Sequence, residues 1–251
     1  MQDLSTEEQE RLEDEAKKLT LDDVAKLESN LISDEDDIAT RFKLAVAYQE
    51  LPASMPERLL EFDKARINHV SWFIEHMPQS EIFANIAFVF IFGDGFRARA
   101  QSNWILQINK HHGNKKIIEN AFINLVAGSG HERLISELEA QLNRNEFDPV
   151  YAEDFSIPVK PYIGLNLQKS SETQVCVLEA SDGGPAQIAG LASNDLIISV
   201  NSEPINSIDQ FLNIVSNCNP NLDIQLAIRR NNERLLFNIN PFVQDSFDQK
   251  K

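Results

Sequence analysis

Apolar residues recur at helical spacing through the first half of the chain. Leu4, Leu12, Ala16 and Leu19 mark one amphipathic segment, and Leu21, Val24, Leu27 and Leu31 mark a second, with Thr20 placed to cap it. Longer segments follow. Ile38 to Leu51 with Pro56 to Met77, Ser80 to Phe92 with Phe96 to His111, and Asn114 to Val126 with Ser129 to Leu142 read as three antiparallel helix pairs. Pro78, Gly113 and Pro149 break the pattern at a period of roughly 35 residues, the spacing of a stacked helix-turn-helix array. One pair alone leaves its apolar face bare, so stacking is expected to bury a continuous core and leave one extended concave surface.

The pattern becomes strand-like beyond Pro161. Tyr162-Ile163-Gly164-Leu165-Asn166-Leu167 holds a Gly inside an apolar run, which marks a bulge or the close approach of another backbone or a ligand. Val175 to Leu178 reads as a strand, Gly183-Gly184-Pro185 as a turn, and Ala186 to Ala189 as a short helix closed by Gly190-Leu191. Asp195 opens a strand over Leu196 to Val200, and Asn201 to Pro204 make a turn. Ser207 caps a helix running to about Asn217, and Ile224 to Arg229 with Leu235 to Ile239 form a hairpin around Asn231-Asn232.

This order resembles the PDZ domain family, and more closely the PDZ domains of bacterial trypsin-like (HtrA-type) envelope proteases. The residues that carry the resemblance are Tyr162-Ile163-Gly164-Leu165, Gly184-Pro185-Ala186-Gln187-Ile188-Ala189-Gly190-Leu191, Asn194 to Asn201, and Glu203-Pro204-Ile205. Asn194 and Ser202 stand where the family usually has Gly. The first of these motifs sits where the family has its carboxylate-binding loop. Inward-facing N–H groups at Ile163, Gly164 and Leu165 suit a carboxylate, and the strand beyond offers an edge to an incoming peptide. The expected peptide-binding residues are Tyr162, Ile163, Gly164, Leu165 and Leu167, with Ile208, Leu212 and Val215 from the facing helix. Phe211 and Ile214 on that helix read as core.

The helical half resembles tetratricopeptide repeats, with Trp72 and Trp104 in matching places as packing residues. The expected fold class is therefore α+β and multidomain: an all-α, solenoid-like repeat domain followed by a small PDZ β-sandwich or barrel with two helices. The boundaries read as 1–33 for acidic N-terminal helices, 34–149 for the repeat domain and 150–160 for a linker in which Tyr151 and Phe155 are placed to pack. A PDZ domain over 161–243 and a disordered tail over 244–251 complete the chain.

Composition narrows the partners. A hydrophobic content of 42% with 25% charged residues is that of a folded globular chain. The net charge of −16, concentrated before Ile38, removes the basic stripe that nucleic acid or an anionic membrane surface requires. The longest apolar run, Ile82 to Phe92, is too short for a bilayer span and reads as a core helix, so no membrane insertion is expected. Cys176 and Cys218 form no CxxC or disulfide pattern and read as small buried hydrophobes. With no cationic, apolar leader before the first helix, a cytoplasmic location is expected, or a periplasmic one if a leader was removed.

Catalytic patterns fail one by one. His131-Glu132 lacks a second His at position 135, which is Ile, so it is no zinc-protease pair. Gly128-Ser129-Gly130 lacks the outer glycines of a nucleophile elbow and reads as a turn between helices. His76, His111 and His112 end helices, where an imidazole suits the carbonyl end of the dipole. No P-loop, dinucleotide fingerprint, metal site or cofactor site is expected. The chain reads as a non-catalytic adaptor: the PDZ groove takes an extended or C-terminal peptide and the helical domain holds a second protein. The alternative is a regulatory or substrate-delivery subunit of a protease or chaperone.

Overall fold

Ser5 and Thr20 start the first two helices, α1 (Thr6–Ala16) and α2 (Leu21–Leu31), in the same way. Each hydroxyl accepts from the backbone N–H three residues on, and the side chains of Glu8 and Asp23 reach back to the N–H of Ser5 and Thr20. These reciprocal bonds satisfy donors that a helix start leaves orphaned. Asp37 caps α3 (Ile38–Glu50), which packs against α4 (Leu59–His76) and carries α1 and α2 on its other sides. Further along, α6 (Lys115–Val126) pairs with α7 (Glu132–Asn143); α5 (Asp94–Lys110) lies between these segments in sequence.

The computed structural model describes residues 3–89, 94–126, 132–143, 157–171 and 174–246. The chain divides into two compact units, Met1–Ile91 with Lys110–Phe155 and Phe92–Asn109 with Ser156–Lys251. The expected turn at Gly128-Ser129-Gly130, His131, and Tyr151 and Phe155 of the linker lie outside the described residues. Among the described residues no helix is long and apolar enough to cross a membrane.

The helix expected over Ser80 to Phe92 is not formed in its described part, through Val89. Glu81–Ala84 and Ile86–Phe88 are two 3-10 turns. The cause is local: Ser80 Oγ accepts from the Ile82 N–H and Asn85 Oδ1 from the Ala87 N–H, side-chain bonds that compete with a continuous helical ladder. The apolar residues remain inside, with Phe83 and Phe88 edge-to-face and Phe88 also against Phe42 and Phe73. A carboxamide completes the segment, since Asn120 Nδ2 donates to the carbonyls of Pro78 and Ser80. The intended partner, α5, groups with the sheet instead. A threefold repeat of helix pairs is therefore not seen among the described residues.

One polar cluster sits at the edge of the helical core, with Tyr48 and His69 buried and Glu28 partly exposed. Tyr48 Oη donates to Glu28 Oε1 at 2.7 Å, His69 Nε2 lies 3.0 Å from the same oxygen, and the His69 ring stacks on Tyr48. Burial works against the ionised Glu28, yet the bonds from His69 and Tyr48 outweigh it and hold the carboxyl below the usual glutamate range. A depressed folded pKa contributes stability above the ordinary glutamate value, and that contribution is lost as pH falls through the folded value. Melts of the wild type and Glu28→Gln should therefore differ at neutral pH and converge on acidification. A gap constant with pH would contradict this reading of Glu28.

The second unit holds two sheets. β1 (Val159–Tyr162) pairs with β8 (Phe242–Asp245) as an antiparallel ribbon. The larger sheet has the order β2 (Leu165–Ser171), β3 (Gln174–Ala180), β4 (Leu196–Val200), β6 (Ile224–Arg230), β7 (Glu233–Ile239), with β5 (Glu203–Pro204) beside β4. Two helices accompany it, α8 (Pro185–Ile188) and α9 (Ile208–Ser216). Its core comprises Val177, Val200, Phe211, Leu226, Ile228 and Ile239 among others. Val159 and Lys160, expected in the linker, lie in β1. Gln244 and Asp245, expected in a disordered tail, lie in β8, because the ribbon pairs Lys160 with Gln244 and Val159 with Asp245. The tail from 247 onward lies outside the described residues. Cys176 is buried and Cys218 only half-buried, both free thiols.

Hairpin chemistry accounts for the tight turns. Asn201-Ser202 joins the paired residues Val200 and Glu203, Asn231-Asn232 joins Arg230 and Glu233, and all four turn residues have positive φ, the requirement of a two-residue mirror-image turn. Asn194 is also left-handed, at φ 72. Ser202, at φ 69, carries the least suitable side chain of the set. Ser202→Gly should raise stability by about 1 kcal/mol, the scale of the steric penalty for an L-residue there. A thermal melt measures it, and a lowered midpoint would contradict the assignment.

Candidate functional site

A pocket of ≈ 410 Å³ opens between the start of β2 and α9. It is lined by Lys160, Pro161, Tyr162, Ile163, Gly164 and Leu165, by Phe211, Leu212, Asn213, Val215 and Ser216 of α9, and by Gln244. α9 is set by Ser207, whose hydroxyl accepts from the Gln210 N–H, and its amphipathic spacing turns Phe211 and Val215 inward. Leu212, one step on, is 53% exposed, whereas Phe211 is 2% exposed. β2 ends the order of the larger sheet, so its outer edge has no neighbouring strand among the described residues. An unpaired edge beside an apolar pocket is the geometry of strand addition.

The Ile163–Leu165 loop is oriented from behind. The Ala186 N–H donates to the Ile163 carbonyl and the Ser181 N–H to the Gly164 carbonyl, both at 2.9 Å. In a trans peptide the C=O and N–H of one plane point in opposite directions. Fixing these two carbonyls toward α8 and the Ser181 turn therefore aims the N–H groups of Gly164 and Leu165 the other way, toward the pocket that both residues line. Two converging amides form an anion-binding concavity. The loop turns at Gly164, where φ is +70 and a Cβ would lie 3.3 Å from Tyr162 Oη and 3.4 Å from Ser181 Cβ. Gly164→Ala should consequently lower affinity for a carboxylate-bearing peptide about tenfold, from a left-handed penalty of roughly 1–2 kcal/mol relieved by loop movement. Calorimetric titration of both proteins checks it; equal affinities would show that the loop is not the anchor.

Six of the eight expected site residues line the pocket: Tyr162, Ile163, Gly164, Leu165, Leu212 and Val215. Leu167 and Ile208 do not; both pack against the core. Ile208 precedes Leu212 by one helical turn, ~6 Å along the axis, and Leu167 lies ~7 Å beyond Leu165 on β2. Both therefore sit further along the β2–α9 cleft than the pocket. Lys160, Asn213, Ser216 and Gln244 were not legible as site residues. Lys160 is the charged group of the lining, and its only signal was its place just before Pro161. Gln244 enters through the β1–β8 ribbon, a contact far apart in sequence with no local pattern to reveal it. Among the described residues no cluster of His, Cys, Asp and Glu has the arrangement of a metal site.

Residues 161–240 match the PDZ domain family. The PDZ domain is a non-catalytic module that binds proteins and peptides. Solved structures similar to the chain include the HtrA3 PDZ domain bound to a phage-derived ligand (FGRWV), at 25% identity over 34% of this chain and 88% of that one, with a TM-score of 0.32. Others are the HtrA-type protease AlgW with tripeptide, at 14% identity, 47% and 39% coverage and a TM-score of 0.33, and the serine endoprotease from Yersinia pestis, at 22% identity, 45% and 36% coverage and a TM-score of 0.32. The chain thus spans little more than a third of the length of these two proteases. No curated protein matches it.

Proposed function

We propose that the chain is a non-catalytic adaptor whose PDZ domain captures the free C-terminus of another protein by strand addition to β2. The observation that carries this reading is the pair of amides at Gly164 and Leu165, aimed by two backbone bonds toward an apolar pocket beside an open strand edge. The terminal carboxylate meets the two N–H groups, with Lys160 adding positive charge. The last side chain enters between Ile163, Leu165, Leu212 and Val215, and the preceding residues run along β2 toward Leu167 and Ile208. The other compact unit, Met1–Ile91 with Lys110–Phe155, has its own core, and it supplies the surface for a second partner.

Panning the full chain against random heptapeptides with free C-termini tests the first half. Selected peptides should converge on an apolar last residue; selection with no preference at that position would sink the reading. Co-purification from native cells tests the second half. One stoichiometric partner supports the adaptor. Recovery of a protease or chaperone with many clients would replace it by a substrate-delivery subunit.

A further inference from the structure

The carboxylate loop leans on the Ser181–Gly184 turn, and that turn is itself held from its far side. Gly95, in the first turn of α5, lies so close to it that a Cβ there would be 2.0 Å from the Asp182 carbonyl oxygen and 2.3 Å from the Gly184 nitrogen. The fit is reciprocal: a Cβ on Gly183, whose φ is +70, would lie 2.2 Å from Cδ1 and Cε1 of Phe96. Phe96 is buried. The turn's own geometry is closed by Gln187, which accepts from the Gly183 N–H at 2.7 Å and donates to Asp182 Oδ1 at 2.6 Å. Further along the same helix, Ser102 Oγ accepts from the Val243 N–H of β8. Asn109 makes two bonds with the backbone of Ile157, two residues before β1. α5 thus touches both supports of the loop, the β1–β8 ribbon that leads into it and the turn that orients its carbonyls.

We propose that α5 is a brace for the peptide site and that Phe96 is a positioning residue for the carboxylate-binding amides, a step that rests on the peptide-capture reading above. The chain of contact is short. The Phe96 ring fixes Gly183, the turn fixes the Ser181 N–H, that N–H fixes the Gly164 carbonyl, and the carbonyl fixes where the Leu165 N–H points. Without the ring the turn is free to shift, the loop samples orientations in which its amides diverge, and affinity falls by the fraction of time that the competent orientation is lost. The effect is confined to the carboxylate. Contacts of the terminal side chain with Leu212 and Val215 do not pass through the turn.

A double-mutant cycle on the full chain reads this directly. The probe is a heptapeptide selected by the panning above, made as the free acid and as the C-terminal amide, and titrated into wild type, Phe96→Ala and Phe96→Leu. The wild type should prefer the acid by about tenfold or more, and in Phe96→Ala that preference should fall severalfold while amide affinity changes by less than about twofold. Phe96→Leu, which keeps apolar bulk, should be intermediate, and it carries the comparison if the Ala variant fails to fold. Amide hydrogen exchange supplies a readout that needs no ligand: the Ser181 N–H should exchange faster in either variant. An unchanged acid-to-amide ratio, or equal loss for both peptides, overturns the brace while leaving peptide capture standing. A wild type that does not distinguish acid from amide sinks the carboxylate reading itself, and the brace is then decided by Ser181 exchange alone.

Discussion

Replacing Phe211 by Ala is expected to destabilise the PDZ domain by about 3–5 kcal/mol, the usual result of emptying a large aromatic site in a close-packed core. Its neighbour behaves differently. Leu212 is half in solvent, so Leu212→Ala should change stability by no more than about 0.5 kcal/mol, as exposed positions do. Both side chains line the same pocket. Phe211 is buried in the core that also holds Val177, Val200 and Ile228, whereas Leu212 is half exposed. Leu212→Ala therefore widens the pocket without touching the amides, and should shift preference toward bulkier last residues. Thermal melts beside peptide-selectivity profiles separate the two roles. A large loss of stability in Leu212→Ala would place that residue in the core and make Phe211 the groove wall instead.

Arg230→Ala should cost the same domain about 3 kcal/mol, because it strands a carboxylate inside it. Asp195 is 1% exposed, and its two oxygens take a bidentate pair from Arg230, Nε to Oδ1 at 2.6 Å and Nη2 to Oδ2 at 2.7 Å. Oδ2 also accepts from the Ala192 N–H, and Nη2 reaches the Gly190 carbonyl. One guanidinium thus ties the end of β6 to the turn that closes α8. Arg230→Lys should recover only part of the loss, since an ammonium cannot present two parallel donors to one carboxylate. Full recovery by Lys in a denaturant titration would mean that charge alone matters there.

How much of this was legible in the sequence depended on whether the cause was local. The caps at Thr20 and Ser207 and the turn at Asn231-Asn232 are each decided within four residues, and each stands where the pattern put it. The loop at Gly164 was legible for the same reason: a Gly in an apolar run requires an explanation, and a positive φ supplies it. What failed was decided at a distance or by competition. The apolar run from Ile82 carried a helix's composition, but Ser80 and Asn85 diverted its backbone into 3-10 turns. Asn120, about 40 residues on, satisfied the carbonyls that were left. The helix at Phe96 had the right period and the wrong expected neighbour. Its place beside the sheet depends on Gly95 meeting the backbone of Asp182 to Gly184 and on Gly183 meeting the Phe96 ring, which neither segment reveals alone. The ribbon that brings Lys160 and Gln244 to the pocket joins residues from opposite ends of the domain.

The central claim is that the amides of Gly164 and Leu165 receive a terminal carboxylate. The most direct measurement is the backbone amide spectrum of the full chain, titrated with a selected heptapeptide as free acid and then as amide. The account predicts that the Gly164 and Leu165 resonances move downfield with the acid, as amides do on gaining a charged acceptor, and stay in place with the amide form. Shifts centred elsewhere, or the same shifts with both peptides, would contradict it.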